Sequence, residues 1–295
     1  AALATGPATA DSLAAATGRP LRTVRLLAAA MASQGLLTTG PQGYALTPES
    51  RDYLTGAGAA LDMGPYLAFL QAISYPHWLQ FQATVDSDQP GDLGMTPARW
   101  ETFLAGVMRY NELHAAMLVQ GVDLTGHRHA LDLGGLSPAF AIRAMMANPA
   151  LSVQFAYAPD YLPAIREALG AAGLASRASF EGVATPEAQP KGPFDLIFLN
   201  HVLHRFSPAE NRSILSHARA AAAPGARLVV LDFYLDAQGP IRALDALHAG
   251  EYLVIDGTVV FPEAEVRGWL AETGWRAGDL VALPGSPRAL LASAD

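Results

Sequence analysis

The sequence has no cysteine, a single lysine and no long hydrophobic run, and each absence excludes a class of function. Without cysteine the chain forms no disulfide framework and offers no thiolate chemistry. With Lys191 as its single lysine, a net charge of −8 and a pI near 5.4, it lacks the clustered cations that nucleic-acid binding requires. No apolar run reaches the roughly 18 residues of a membrane span, and no basic signal segment opens the chain. We therefore expect a cytoplasmic protein with neither a membrane nor a nucleic-acid partner.

The residues that are present are typical of a folded enzyme with more than one domain. Of the 295 residues, 51% are hydrophobic and 16% are charged, which suits a chain that buries a sizeable core. We expect one mostly helical domain over residues 1–126 and a second domain over residues 127–295.

The first 58 residues predict a winged helix. Helices from Thr9 to Ala16 and from Arg22 to Gln34 precede two short strands that a Gly40-Pro41-Gln42-Gly43 turn joins. This segment carries four arginines against three acidic residues, so its charge is close to neutral and we do not expect it to bind DNA. From Leu61 to about Gly126 the sequence predicts further helices, with breaks at Tyr75-Pro76 and between Ser87 and Pro97.

The rest of the chain alternates strands and helices, which predicts a doubly wound parallel sheet with one added antiparallel pair. Strands are predicted at 129–133, 152–157, 178–183, 194–199, 227–234, 275–283 and 289–292, and helices at 139–147, 161–171, 208–222 and 263–274.

Two segments of this half carry the chemistry. The first is a glycine-containing turn, Leu131-Asp132-Leu133-Gly134-Gly135-Leu136-Ser137-Pro138, and the second is Leu199-Asn200-His201-Val202-Leu203-His204-Arg205-Phe206. Together they resemble the S-adenosylmethionine (SAM)-dependent O-methyltransferases of small-molecule metabolism, whose turn reads Asp/Glu-x-Gly-x-Gly-x-Gly and whose later segment ends in Leu-His-Asp-Trp. The resemblance implies a class I methyltransferase (Rossmann-like) sheet, an N-terminal winged-helix dimerisation domain and a homodimer.

The resemblance also assigns the acid/base residues. His204 falls on the base that removes a proton from a substrate hydroxyl, a role that suits imidazole because its pKa lies near neutrality. Asp232 falls on the acid that orients this histidine. Arg205 stands where the family has aspartate, and we expect it to stabilise negative charge on a substrate carbonyl or enolate.

The cofactor positions depart from the family. Leu136 and Pro138 replace two glycines of the turn, and Tyr157 replaces the acid that accepts the ribose hydroxyls, with Asp160 three residues further on. The predicted remnant of the SAM site comprises Asp132, Gly134, Gly135, Tyr157 and Asp160. These departures predict a protein that uses no cofactor, with SAM as the alternative.

The helices of the family line an apolar substrate chamber, although most large side chains in this chain also suit core packing. The predicted chamber residues are Trp78, Phe81, Met108, Tyr110, Asn111, His201, His248 and Tyr252. His201 and His204 are three residues apart, and Asp232, Asp245 and His248 are further ligand types, but no compact motif links them and no metal is predicted.

Three functions stay open at this stage. The first is a biosynthetic enzyme on an O-methyltransferase scaffold that catalyses SAM-independent cyclisation, isomerisation, elimination, decarboxylation or a pericyclic step through His204. The second is a SAM-dependent O-methyltransferase with a divergent loop, and the third is a non-catalytic binding subunit.

Overall fold

The computed structural model describes residues 2–235 and 241–295. Its contacts divide the chain into two compact units, one of residues 1–72 with 97–110 and one of residues 73–96 with 111–295. The long helix Pro97–Gly121 contributes residues to both units. The division at residue 126 therefore stays a prediction.

The first unit contains the predicted helices and hairpin of a winged helix. Thr9 caps the first helix by accepting a hydrogen bond from the backbone N–H of Ser12, and Gly18 ends it in the left-handed conformation. The elements are α1 (Ala10–Thr17), α2 (Leu21–Ser33), β1 (Leu37–Gly40), β2 (Gly43–Leu46), α3 (Pro48–Leu54) and α4 (Gly64–Phe69). Their small core contains Leu3, Leu13, Ala28 and Leu37.

The helical segment that follows differs from the prediction at one proline. A π-helical turn, Leu70–Ser74, leads directly into α5 (Tyr75–Trp78), so the chain stays helical through Tyr75-Pro76. Pro76 lies in the first turn of α5, where its missing N–H costs little. The interruption falls at residues 79–80, after which α6 (Phe81–Ser87) and α7 (Pro97–Gly121) follow.

The second unit is built on a seven-stranded sheet, which confirms the predicted fold class. Its strand order is β5-β4-β3-β6-β7-β9-β8, and β9 is antiparallel to both of its neighbours. The strands are β3 (His129–Leu133), β4 (Ser152–Tyr157), β5 (Ala178–Gly182), β6 (Phe194–Asn200), β7 (Ala222–Asp232), β8 (Trp275–Ala282) and β9 (Arg288–Ala294).

Helices accompany this sheet, and one of them was not predicted. They are α8 (Ala139–Ala147), α9 (Leu162–Ala171), α10 (Pro208–Ala220), α11 (Ala243–Asp256) and α12 (Glu263–Glu272). No helix was expected at α11, which contains Gly250, a weak helix former. A Cβ atom at Gly250 would lie 2.6 Å from the ring of Trp78, so the glycine allows this ring to approach the helix.

Alternating strand residues build a core on each side of the sheet. Leu131 and Leu133 of β3 join one cluster of buried side chains, while Ala130 joins the other. The chain order reverses between the adjacent strands β3 and β6, and in such sheets ligands bind in the crevice at the carboxyl ends of the strands at this point. Within the described residues, no helix has the length and hydrophobicity to cross a membrane.

Candidate active site

The carboxyl ends of β3, β6 and β7 bring the two motifs together. Gly134 follows β3, His204 lies in a 3₁₀ turn (Leu203–Arg205) shortly after β6, and Asp232 is the last residue of β7. Strand β6 pairs in parallel with both β3 and β7, so the three segments leave the sheet at the same edge. Residues about 70 and 100 positions apart in the sequence therefore share one crevice.

His204 and Asp232 form the pair that the sequence predicts. The Nδ1 atom of His204 lies 2.8 and 3.0 Å from the two carboxylate oxygens of Asp232. The backbone N–H of Phe233 donates to the same carboxylate at 2.9 Å. Burial acts to raise the pKa of Asp232, but the attraction of His204 and these hydrogen bonds outweigh it and hold the pKa below its ordinary value.

This pairing fixes the chemistry of the imidazole. Because the carboxylate accepts the proton on Nδ1, the Nε2 atom of neutral His204 carries the lone pair that can take a proton. The side chain of His204 is 11% exposed. The centroid of the Tyr252 ring lies 4.9 Å from that of the imidazole, so an aromatic side chain packs next to His204.

The predicted substrate-binding residue His201 contacts a second histidine, and its role stays a prediction. It is buried, its φ is 55°, and its Nε2 lies 2.9 Å from Nδ1 of His114, which is also buried. Burial lowers the pKa of His201 to about 3 and that of His114 well below its ordinary value, so both imidazoles are neutral at pH 7. His114 carries no signal in the sequence, because no local pattern links it to a residue 87 positions away.

Helix α11 supplies one aromatic side of the crevice. His248 stacks on Phe233 with centroids 4.2 Å apart, and Tyr252 lies one helical turn further on. Burial lowers the pKa of His248 to about 4, so this imidazole is also neutral. The predicted residues His248 and Tyr252 thus lie within one aromatic cluster with His204.

The remaining predicted chamber residues divide between the two units. In the second unit Trp78 and Phe81 pack together, with ring centroids 5.0 Å apart, and Asn111 is buried on α7. In the first unit Tyr110 stacks on Tyr66 with centroids 4.2 Å apart, and Met108 is half-buried. Their roles in substrate binding stay predictions.

The turn after β3 has a glycine, Gly134, at the position where the backbone conformation requires one. Gly134 has a φ of 78°, and a Cβ atom there would collide with Thr185. Pro138 has a φ of −75° and immediately precedes α8, where the backbone N–H that proline lacks would have no helical partner. Pro138 is therefore compatible with the start of α8.

Tyr157 and Asp160 lie in different surroundings from an acid that binds ribose. Tyr157 is fully buried, and its hydroxyl reaches back under the turn to the Ser137 carbonyl, 3.3 Å away, and to the carboxyl of Asp132. Burial raises the pKa of Asp132 to about 7. Asp160 is exposed in a 3₁₀ turn, Pro159–Tyr161, beyond the end of β4.

Arg205 connects the two motifs. Its guanidinium donates a hydrogen bond of 2.8 Å to the carbonyl of Gly134. Burial lowers the pKa of this group from its ordinary value, while Tyr161, Tyr157 and Asp232 act in the opposite direction. The side chain therefore lies over the turn after β3.

The histidine cluster also contains metal-ligand types. Ligand atoms of His201, His204 and Asp232 lie within 4.8 Å of one another. In the structure Asp232 instead accepts from His204, which leaves its carboxylate committed to the imidazole. The prediction that no metal is bound stays a prediction.

Comparison with known proteins identifies relatives over most of the chain. The model of a family described as O-methyltransferase domain matches residues 93–276. The chain is 29% identical over 286 residues to 3-hydroxy-5-methyl-1-naphthoate 3-O-methyltransferase of Streptomyces sahachiroi, covering 92% of this chain and 81% of that protein.

Solved structures share the fold at lower identity. The pyocyanin biosynthetic protein PhzM superposes with a TM-score of 0.86 at 20% identity, covering 99% of this chain and 90% of PhzM. Human N-acetylserotonin methyltransferase, solved in complex with SAM, has a TM-score of 0.77 at 20% identity, covering 99% of this chain and 89% of that one. The family match and such neighbours point to SAM, so the prediction that no cofactor is used is wrong.

Proposed function

Because this chain belongs to the O-methyltransferase family, we propose that it transfers a methyl group from SAM to a hydroxyl of a small aromatic molecule. The proposal takes up the second of the three predicted functions in place of the cofactor-free rearrangement. The names of the relatives support the substrate class, since one is a 3-O-methyltransferase of a hydroxynaphthoate and another is a methyltransferase of N-acetylserotonin.

The His204–Asp232 pair is the observation that carries the proposal. Methylation of a hydroxyl requires that its proton leave as the oxygen attacks, and Nε2 of His204 is the lone pair placed to accept it. Asp232 holds the imidazole in the required tautomer and stabilises the imidazolium that forms. The ring of Tyr252, 4.9 Å from the imidazole between centroids, offers an apolar aromatic surface next to the base for an aromatic acceptor.

The crevice also offers polar groups that suit SAM, which when bound supplies an electrophilic methyl group on a sulfonium. Within the described residues, both side-chain amide atoms of Asn200 and one carboxyl oxygen of Asp132 are buried without a hydrogen-bond partner. Buried polar atoms of this kind require a ligand or water. We assign the backbone of residues 134–137, Asn200 and Arg205 to the polar end of the cofactor, with Asp160 as the nearest acid at the end of β4.

The test combines binding and turnover. Isothermal titration calorimetry with SAM and with S-adenosylhomocysteine (SAH) measures cofactor binding, and methyl-deuterated SAM reports transfer to a panel of hydroxynaphthoates and hydroxyindoles by mass spectrometry. We expect binding of both nucleosides and a product heavier by one labelled methyl group. Failure of the protein to bind either nucleoside would contradict the proposal.

We also propose that the protein is a homodimer through its first unit. Several large hydrophobic side chains of that unit are exposed, and such side chains are stabilised when a second copy covers them. They are Leu26, Leu27, Leu67, Trp100 and Leu104.

A further inference from the structure

Arg205 is a largely buried cation without an acidic partner of its own. The hydrogen bond to the Gly134 carbonyl is the only one that its guanidinium makes within residues 2–235 and 241–295. No carboxylate in those residues forms an ion pair with it. A guanidinium has five donors, and burial without an acceptor is costly for a charged group.

The groups around Arg205 do not neutralise it. Asp232 is already engaged by His204 and by the backbone of Phe233. Tyr157 stays protonated, because burial raises the pKa of its hydroxyl well above the ordinary value. This side of the crevice therefore presents a positive charge in surroundings that strengthen its interactions.

The position of the guanidinium determines which ligand atoms it can meet. Gly134 opens the turn at the point where the strand order reverses, and Asn200, with its unpartnered amide, ends the adjacent strand. The planar fork of an arginine matches a carboxylate through two parallel hydrogen bonds. If a ligand lies along this turn, the Arg205 guanidinium is placed to bind a carboxylate group of that ligand.

We propose that Arg205 binds the carboxylate at the amino-acid end of the cofactor. The inference rests on the proposed use of SAM, in which the carboxylate is the single anionic group. The sulfonium of SAM is separated from that carboxylate by the carbon chain of the amino acid. Because Coulomb energy falls with distance, attraction to a carboxylate in direct contact with the guanidinium exceeds repulsion from the more distant α-ammonium and sulfonium groups.

The other end of the site makes this contact more important. Tyr157 occupies the end of β4 and directs its hydroxyl under the turn, and Asp160 is exposed to solvent. No buried carboxylate within the described residues follows β4 to receive a ribose diol. The amino-acid end of the cofactor consequently carries a larger share of the binding.

The experiment compares two nucleosides that differ at this end. Calorimetry measures the binding of SAH and of methylthioadenosine, which lacks the amino-acid carboxylate, to the wild type and to Arg205→Gln. We expect the substitution to weaken SAH about 10- to 100-fold, as for loss of a charged hydrogen bond, and to leave methylthioadenosine unchanged. Arg212→Gln is the matched control, because Arg212 forms an exposed pair with Glu272 and should alter neither affinity.

Each other outcome overturns the inference in a recognisable way. Equal weakening of both nucleosides would mean that Arg205 only supports the turn through Gly134, and unchanged SAH binding would mean that it makes no contact with the carboxylate. If the wild type binds neither nucleoside, the proposed function itself fails. Arg205→Lys serves if Arg205→Gln melts early: it keeps the charge but loses the planar fork, so SAH should bind more weakly than to the wild type while methylthioadenosine stays unchanged, and unchanged SAH binding would overturn the inference.

Discussion

Replacing either member of the His204–Asp232 pair should slow methyl transfer without preventing the binding of the cofactor. His204→Ala removes the nitrogen that accepts the substrate proton. Asp232→Asn keeps the imidazole but loses the acceptor that lies 2.8 Å from Nδ1 and fixes its tautomer. Both changes act on the transition state, where charge develops on the imidazole.

The catalytic roles of His204 and Asp232 determine how large the loss of rate should be. General acid/base groups contribute about 10²- to 10⁴-fold, so His204→Ala should lower the rate by that factor. Asp232→Asn should fall in the same range, because its amide group can donate to Nδ1 and turn the imidazole to the unproductive tautomer. The double variant should be little slower than the slower single variant, since the two residues act as one unit.

Single-turnover transfer from labelled SAM to the acceptor identified in the panel measures these rates, and SAH calorimetry verifies that each variant still binds. His217→Ala is the matched control, because His217 is half-buried on α10, outside the residues that form the crevice, and should leave the rate unchanged. A His204→Ala variant that keeps more than about a tenth of the wild-type rate would refute the assignment of His204 as base. If the double variant were slower than the wild type by the product of the two single effects, His204 and Asp232 would act independently, and the coupling between them would be refuted.

Three further outcomes follow from burial and packing. Burial raises the pKa of Asp132 from 3.8 to about 7, so the stability that its protonated carboxyl contributes is lost as pH rises through this window. The buried His114, His201 and His248 act in the opposite direction, so the readout is the difference between two proteins: Asp132→Asn should gain stability relative to the wild type between pH 4 and pH 8 in denaturant titrations. Gly106→Ala should destabilise the protein by about 1–3 kcal/mol because its Cβ would collide with a neighbouring helix, whereas Gly268→Ala, with open space around it, should stabilise it by about 0.5–1 kcal/mol in thermal melts. Leu27→Glu should shift the light-scattering mass to that of a monomer, whereas Met146→Glu, an equally exposed change in the second unit, should not.

The sheet was predictable because both of its faces are covered. Strands β3, β6 and β7 are rich in apolar residues and lie between polar turns, as is typical of strands buried on both faces. Helix α11 was not predicted because its stability depends on tertiary contacts and not on its local sequence. Gly250 weakens its local helix propensity, but in the fold the same glycine admits the ring of Trp78.

The site was predictable where one motif supplied the residue and its role. His204 and Asp232 are each placed by a strand end, and the sheet then brings them within hydrogen-bonding distance. His114 has no such marker, since its partner His201 comes from another element and their contact depends on how α7 packs. Pairings of this kind are set by packing, and a single sequence does not encode them in any local pattern.

The glycine pattern wrongly predicts that no cofactor is used, and the reason is physical. A departure from this pattern removes a contact with the cofactor only if the surrounding backbone stays fixed. Pro138 instead occupies a position where no backbone N–H is needed, and Gly134, whose φ is 78°, is the glycine that the turn requires. Arg205 adds a donor over the same turn that the family pattern lacks. On the proposed assignment, contacts at the amino-acid end of the cofactor compensate for those absent at the ribose end, and the comparison of SAH with methylthioadenosine binding measures that compensation.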